Sequence, residues 1–174
     1  DGFEMLKTCC SKIVSIGLSM GGTLALYAAA NYALDAAVAI SAPYAVDDKR
    51  LPLLRPISLV KPYIGKGESD LKDPEQAAQH ANYSRYPTRS IIELDRLLKA
   101  TRTVLSDISI PVLLIHSKGD QGVSIRNLER YYKKIGSTKK SKVILEKSGH
   151  VITEDIEREI AFQAITDFVK KEIL

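Results

Sequence analysis

"KIVSIGLSMGGTLALYAAA", Lys12 to Ala30, changes character at a single serine. Before Ser19, the branched apolar run Lys12–Gly17 has the length and composition of a strand buried on both faces. After it, an alanine-rich run from Gly21 to about Tyr32 reads as a helix. A strand that passes directly into a helix is the repeating unit of a parallel α/β sheet. Three more runs of the same kind follow: "AAVAIS" (Ala36–Ser41), "PVLLIHS" (Pro111–Ser117) and "SKVILEKSG" (Ser141–Gly149). Helical patterns lie between and after them. "SIRNLERYYKKIG" places Ile125, Leu128, Tyr132 and Ile135 on one face and stops at Gly136. "TEDIEREIAFQAITDFVKKEIL" does the same with Ile156, Ile160, Ala164 and Phe168, with Thr153 as the expected N-cap and Glu154 and Asp155 in the first turn.

The alternation breaks between Tyr44 and Ser109, where Pro52, Pro56, Pro62, Pro74 and Pro87 punctuate charged turns. One good helix, about Thr88 to Leu105, carries the stripe Ile91, Leu94, Leu98 and Leu105. Residues 44–109 therefore read as a helical cap inserted between two strands of one α/β domain spanning 1–174, with no comparable strand of its own. Its apolar residues Leu53, Leu54, Ile57 and Leu59 are candidates for the wall of a hydrophobic pocket, and ordinary packing accounts for them equally.

At 174 residues, 45% hydrophobic and 26% charged, the chain has the size and composition of one globular domain with a useful core. Its formal charge of +4 is modest, and the one basic cluster, "KKIGSTKKSK" (Lys133–Lys142), lacks interleaved aromatics. It reads as a solvated surface, which argues against nucleic-acid or anionic-membrane binding. No apolar run is long enough to span a bilayer. The two cysteines, Cys9 and Cys10, are adjacent, so neither a disulfide framework nor a metal-ligand spacing is present. That usage fits a reducing, cytoplasmic setting. The chain opens at Asp1, without methionine, in a segment patterned like the tail of a helix, so residues upstream are expected and a missing leader carries no weight.

Gly17-Leu18-Ser19-Met20-Gly21 fits G-x-S-x-G in the strand–turn–helix context that gives this motif meaning. A serine on so sharp a turn is lifted clear of the sheet at a helix N-terminus, where free N–H groups favour developing negative charge. The small residues Gly17, Gly21 and Gly22 would let neighbouring backbone pass close. The competing reading is a glycine-rich turn with an incidental serine. A reactive serine needs a base and an orienting acid. Of three histidines, His80 falls in the cap and reads as surface or packing, and His116 ends an apolar strand and reads as structural. His150 follows the last strand, where parallel sheets place their sites. Asp120, in the loop after Pro111–Ser117, is the expected acid, although a turn aspartate would look the same; Asp47 and Asp48 are its competitors. Ser19, Asp120 and His150 would then appear in the chain order of the α/β-hydrolases.

"GLSMGG" (Gly17–Gly22), "ISAPY" (Ile40–Tyr44), "IPVLLIHSKGDQGV" (Ile110–Val123) and "SGHVIT" (Ser148–Thr153) together resemble bacterial carboxylesterases of the α/β-hydrolase fold, the group that includes monoacylglycerol lipases. "RYPTRSIIELDRLL" (Arg85–Leu98) is similar to the cap helix of those esterases. The resemblance implies Ser19 as nucleophile, Asp120 as acid, His150 as base and the Met20 backbone N–H as one oxyanion donor. It also implies a small-molecule ester substrate, with monoacylglycerols within the substrate class, and neither metal nor organic cofactor. In that fold several strands, and a loop bearing the second oxyanion donor, precede the nucleophile strand. Nothing before Lys12 supplies either, so the chain is expected to match the C-terminal portion of such an enzyme, to expose its first strand as an edge, and to be poorly active alone. The same triad could also serve an amidase, peptidase or acyltransferase, and the same fold a ligand-binding module without turnover.

Overall fold

The computed structural model describes residues 2–46, 54–67 and 69–174, leaving the side chains of Leu54 and Arg55 aside. The candidates Asp47, Asp48 and Leu53, and the side chain of Leu54, lie outside the described residues. Helix α1 (Gly2–Cys9) leads into β1 (Val14–Leu18), α2 (Met20–Asn31) and β2 (Ala36–Ile40). After α3 (Leu54–Val60), β3 (Tyr63–Gly65), α4 (Pro74–Gln79), β4 (Arg85–Pro87) and α5 (Thr88–Val104), the chain returns to the main sheet. There β5 (Val112–Ser117), α6 (Arg126–Lys134), β6 (Lys140–Leu145) and α7 (Arg158–Glu172) complete it.

The main sheet has the order β1-β2-β5-β6, and every pairing in it is parallel. All residues of β2 and β5 are buried, as expected for strands covered on both faces. Their alternate side chains feed two separate cores. Ala37, Ala39, Val112 and Leu114 join Leu26, Leu128, Tyr131 and Ile135 under α2 and α6. Val38, Ile40, Leu113 and Ile115 join Leu145, Ile152, Ala161 and Phe168 beneath α7. Each outer strand has one neighbour among the described residues: β1 is an edge, as expected, with Ile16 half-exposed, whereas β6, read as buried, turns Ser141 and Lys142 to solvent. Within the basic cluster, Lys142 pairs with Glu129 and Lys140 donates to the Ile135 carbonyl. Among the described residues no helix is long and apolar enough to cross a membrane.

Three details depart from the sequence reading. The insertion contains a small antiparallel pair, β3 and β4, whose three-residue strands are too short to show a period. In α6 the buried aromatic is Tyr131 rather than Tyr132; its hydroxyl donates to the Pro43 carbonyl at 2.7 Å, and burial pushes the phenol up to about 12. Helix α7 begins at Arg158, not after Thr153, so Ile156 and Ile160 face solvent while Ala161 and Phe168 face the core. The physical reason is Asp155. It is fully buried before the helix starts, accepting the backbone N–H groups of Lys72, Asp73 and Gly149 from elsewhere in the chain as well as that of Ile156 beside it.

The glycines of the decisive turn are not equivalent. A Cβ on Gly17 would lie 2.1 Å from the Gly21 carbonyl oxygen, and one on Gly22 would crowd Ala42 at 3.0 Å, whereas one on Gly21 would meet nothing within 4 Å. Close approach is therefore needed at Gly17 and Gly22 but not at Gly21. Gly17→Ala is expected to cost ~3 kcal/mol, a Tm fall of about 6–12 °C for a chain of this size. Gly21→Ala, inside α2, is expected to hold or raise Tm. Thermal unfolding of the two variants checks the contrast, and a Gly17→Ala protein melting like the parent would contradict it.

Candidate active site

Three chain reversals at the carboxyl ends of β1, β5 and β6 converge on one point. Ser19 joins β1 to α2 with φ 57 and ψ −123, a conformation that costs an L-residue about 1–3 kcal/mol. The turn is held because the Ser19 N–H donates to the Ile40 carbonyl at 2.8 Å and the Ser19 carbonyl accepts from Thr23. Its hydroxyl does not cap its own helix. It lies 2.8 Å from His150 Nε2 instead. Met20 is the first residue of α2, where backbone N–H groups have no intrahelical acceptor.

His150 follows β6, and its Nδ1 lies 2.9 Å from Asp120 Oδ2. A carboxylate only accepts, so Nδ1 carries the proton and Nε2 presents a lone pair to the Ser19 hydroxyl. The imidazole is 21% exposed and the Asp120 carboxylate is fully buried, so the row runs from cleft to core. Asp120 Oδ1 accepts the N–H groups of Gly122 and Val123, at 2.9 and 2.7 Å. Burial alone would push this carboxyl up. Hydrogen bonds from His116, His150 and the Val123 N–H prevail, and hold it well below the usual carboxylate range.

His116, buried in β5, donates from Nε2 to the Val123 carbonyl at 2.8 Å, and the same nitrogen lies 3.2 Å from Asp120 Oδ2. Sequence reasoning gave it a structural place in the strand but missed its contact with the acid. His80 sits apart, bonded through Nδ1 to Glu154 Oε2 at 2.6 Å.

The loop carrying His150 contains the largest surprise. Glu157 accepts the backbone N–H groups of Glu146, Lys147 and Ser148, and the Ser148 hydroxyl as well. Burial opposes its ionisation, but these donors hold its carboxyl below the usual range. Asp155 Oδ2 accepts from Gly149 at 2.6 Å, and Asp70 Oδ1 accepts from His150 at 2.9 Å. Asp155 had a local reading, as first-turn charge beside Glu154, whereas neither Glu157 nor Asp70 carried a sequence signal. Ser41, at the end of β2 within "ISAPY", also escaped notice. It has φ 48, and its buried hydroxyl has no hydrogen-bond partner.

Two cavities flank the imidazole. One of about 480 Å³ opens at Ser19, walled by Pro43, Ala45, Val46, Tyr86, Leu94 and Val123. Ile57 and Leu59 of the insertion are not in that wall, and Leu59 is largely exposed. The other, about 760 Å³, is more polar, with Lys66, Asp70, Lys72, His80 and Asn82 around it.

A parallel sheet wound with helices, a strained serine after one strand and a hydrogen-bonded Asp–His pair after two others define an α/β-hydrolase. Residues 6–157 match the family described as serine aminopeptidase, S33, and the chain belongs to that family of hydrolases. It is 33% identical to the thermostable monoacylglycerol lipase of Bacillus sp. (strain H-257), over 98% of this chain and 68% of that protein. Against the carboxylesterase of Bacillus subtilis (strain 168) the identity is 25%, over 98% of this chain and 69% of the relative. The chain thus spans about two thirds of the length of these relatives. A solved structure from work on LipS and LipT, two metagenome-derived lipolytic enzymes, superposes with a TM-score of 0.90 at 27% identity, covering 98% of this chain and 69% of that one. The Paleococcus ferrophilus monoacylglycerol lipase shares the fold, with a TM-score of 0.83 at 16% identity over 97% of this chain and 72% of its own.

The depressed Asp120 carboxyl makes a prediction about acid. Its folded value lies below the roughly 3.9 of an unfolded aspartate, so its contribution to stability is present at neutral pH. That contribution is lost as pH falls from about 4 toward the folded value. Asp120→Asn is expected to melt below the parent at pH 7 and to lose Tm less steeply between about pH 4 and 2.5. Equal slopes in a Tm-against-pH series would contradict the assignment.

Proposed function

We propose that the protein hydrolyses uncharged carboxylic esters, short- to medium-chain acyl esters or monoacylglycerols, through an acyl-enzyme on Ser19. The observation that carries this reading is the 2.8 Å contact between the Ser19 hydroxyl and His150 Nε2, with Asp120 on the opposite ring nitrogen. His150 takes the hydroxyl proton as the serine oxygen attacks the ester carbonyl. The Met20 N–H, at the positive end of α2, is one donor to the resulting oxyanion. His150 then passes the proton to the leaving alkoxide, and water repeats the cycle to release the acid. Asp120 holds the ring and stabilises its protonated form.

The similarity to proteins named monoacylglycerol lipase and carboxylesterase supports an ester substrate. The family description names an aminopeptidase, which is the second reading. A free α-ammonium group calls for an anionic partner near the nucleophile. No carboxylate lines the 480 Å³ cavity at Ser19 among the described residues, and its apolar wall suits an acyl chain instead. The same argument favours hydrolysis over an inert binding module, since a strained serine aimed at an imidazole has no use in passive binding.

Labelling with a fluorophosphonate is expected at Ser19 and is expected to vanish in Ser19→Ala and His150→Ala. Turnover of p-nitrophenyl acyl esters should fall on the order of 10⁴-fold or more in either variant. Aminoacyl p-nitroanilides are expected to be poor substrates. Faster cleavage of those amides than of the esters would overturn the ester reading in favour of the peptidase one.

A further inference from the structure

We infer that Asp70, contributed by the insertion between β2 and β5, is a positioning residue that sets the backbone bearing His150. The inference rests on the proposed roles of Ser19 and His150. One carboxylate spans two loops: Asp70 Oδ1 accepts the His150 N–H at 2.9 Å, and Oδ2 accepts the Gln121 N–H at 2.8 Å. Gln121 directly follows Asp120, and His150 carries the imidazole, so both ends of the Asp120–His150 bond are referred to one rigid planar group. Each bond pairs a charged acceptor with a backbone donor, the stronger kind of hydrogen bond.

The surroundings are built for this contact. The Asp70 carbonyl packs so closely on Gly149 that a Cβ there would lie 2.3 Å from it. Two residues further along, Asp155 Oδ1 accepts the N–H groups of Lys72 and Asp73, while its Oδ2 accepts that of Gly149. Asp73 in turn pairs with Arg158 at the start of α7. Residues 70–73 and 149–158 are thus interlocked in both directions, by carboxylates from each side. Through that interlock the insertion acts on the proposed base as well as walling the cleft. Asp70 also borders the 760 Å³ cavity, so a role in holding the leaving alcohol is the rival explanation.

Kinetics of the full chain separate the two. Asp70→Ala removes both acceptors; Asp70→Asn keeps the shape but turns one acceptor into a donor facing a donor. With active sites counted by fluorophosphonate titration, kcat per titrated site toward a p-nitrophenyl ester is expected to fall about 10–100-fold, the effect of a misplaced catalytic group. KM is expected to stay within about twofold, since the uniform binding terms are untouched. Asp70→Asn should fall between parent and Asp70→Ala, and it supplies the measurement if the alanine variant does not fold. An unchanged kcat per site, or a rise in KM alone, overturns the positioning role. A merely structural role is recognised by fewer titratable sites at unchanged kcat, which also overturns it. If a parent that also carries the part of the relatives' length this chain does not span neither labels nor turns over, the reading of Ser19 fails and this inference with it; an active parent with unaffected variants removes only Asp70.

Discussion

Five consecutive backbone N–H groups, Glu146 through His150, are each accepted by a carboxylate: Glu157 takes three, Asp155 one and Asp70 one. The chain has just left β6 and must double back over the carboxyl edge of the sheet, where strand partners are no longer available. A buried N–H without an acceptor costs about 1–3 kcal/mol, and a hydrogen bond to a charged group contributes about 1.5–3. Glu146 and Lys147 are exposed, but Ser148 and Gly149 are buried and could not be folded inward without these acids. The position of the His150 ring, and so its alignment on Ser19, depends on that series.

The sheet supplies the complementary constraint. In β2 and β5 side chains alternate between two cores, so a one-residue slip would exchange the faces and misplace both loops at once. Register is therefore strongly fixed along Ala36–Ile40 and Val112–Ser117, and the Asp120 loop starts from a known place. That rigidity also sustains the strain at Ser19. Its N–H is tied to Ile40, whose strand is buried along its whole length, so the turn cannot relax without breaking the sheet's edge.

The sequence was most readable where burial is simple. Continuous apolar runs announced β2 and β5, and the glycine-flanked serine announced the turn into α2, because those patterns arise from local geometry. Reading failed where a residue serves a distant partner. Asp155 looked like helix-capping charge because nothing local reveals that it accepts from Lys72, Asp73 and Gly149. That error displaced the start of α7 and its apolar face, making Ile156 and Ile160 seem buried. Asp70 is the extreme case: an acid in a polar turn, separated in sequence from both N–H groups it receives. Gly21 erred the other way, since a motif glycine implied a close approach that only Gly17 and Gly22 make.

The three histidines illustrate how hydrogen bonding sorts chemically identical groups. In His116, Nε2 faces a carbonyl and a carboxylate, both acceptors, so that nitrogen must carry its proton and offers no lone pair; the ring is also sealed in the core. His80 has a carboxylate on Nδ1, as His150 does, but among the described residues no hydroxyl bonds its ring. His150 alone has an acid on one nitrogen, a serine on the other and a partly open face. Asp120 makes the distinction possible by serving two rings from one buried carboxylate: Oδ2 meets both His116, which anchors it to β5, and His150, which it orients, while Oδ1 holds its own loop through Gly122 and Val123. The acid is thereby fixed to the sheet while the imidazole is fixed through its own backbone, so their meeting point does not depend on either loop alone.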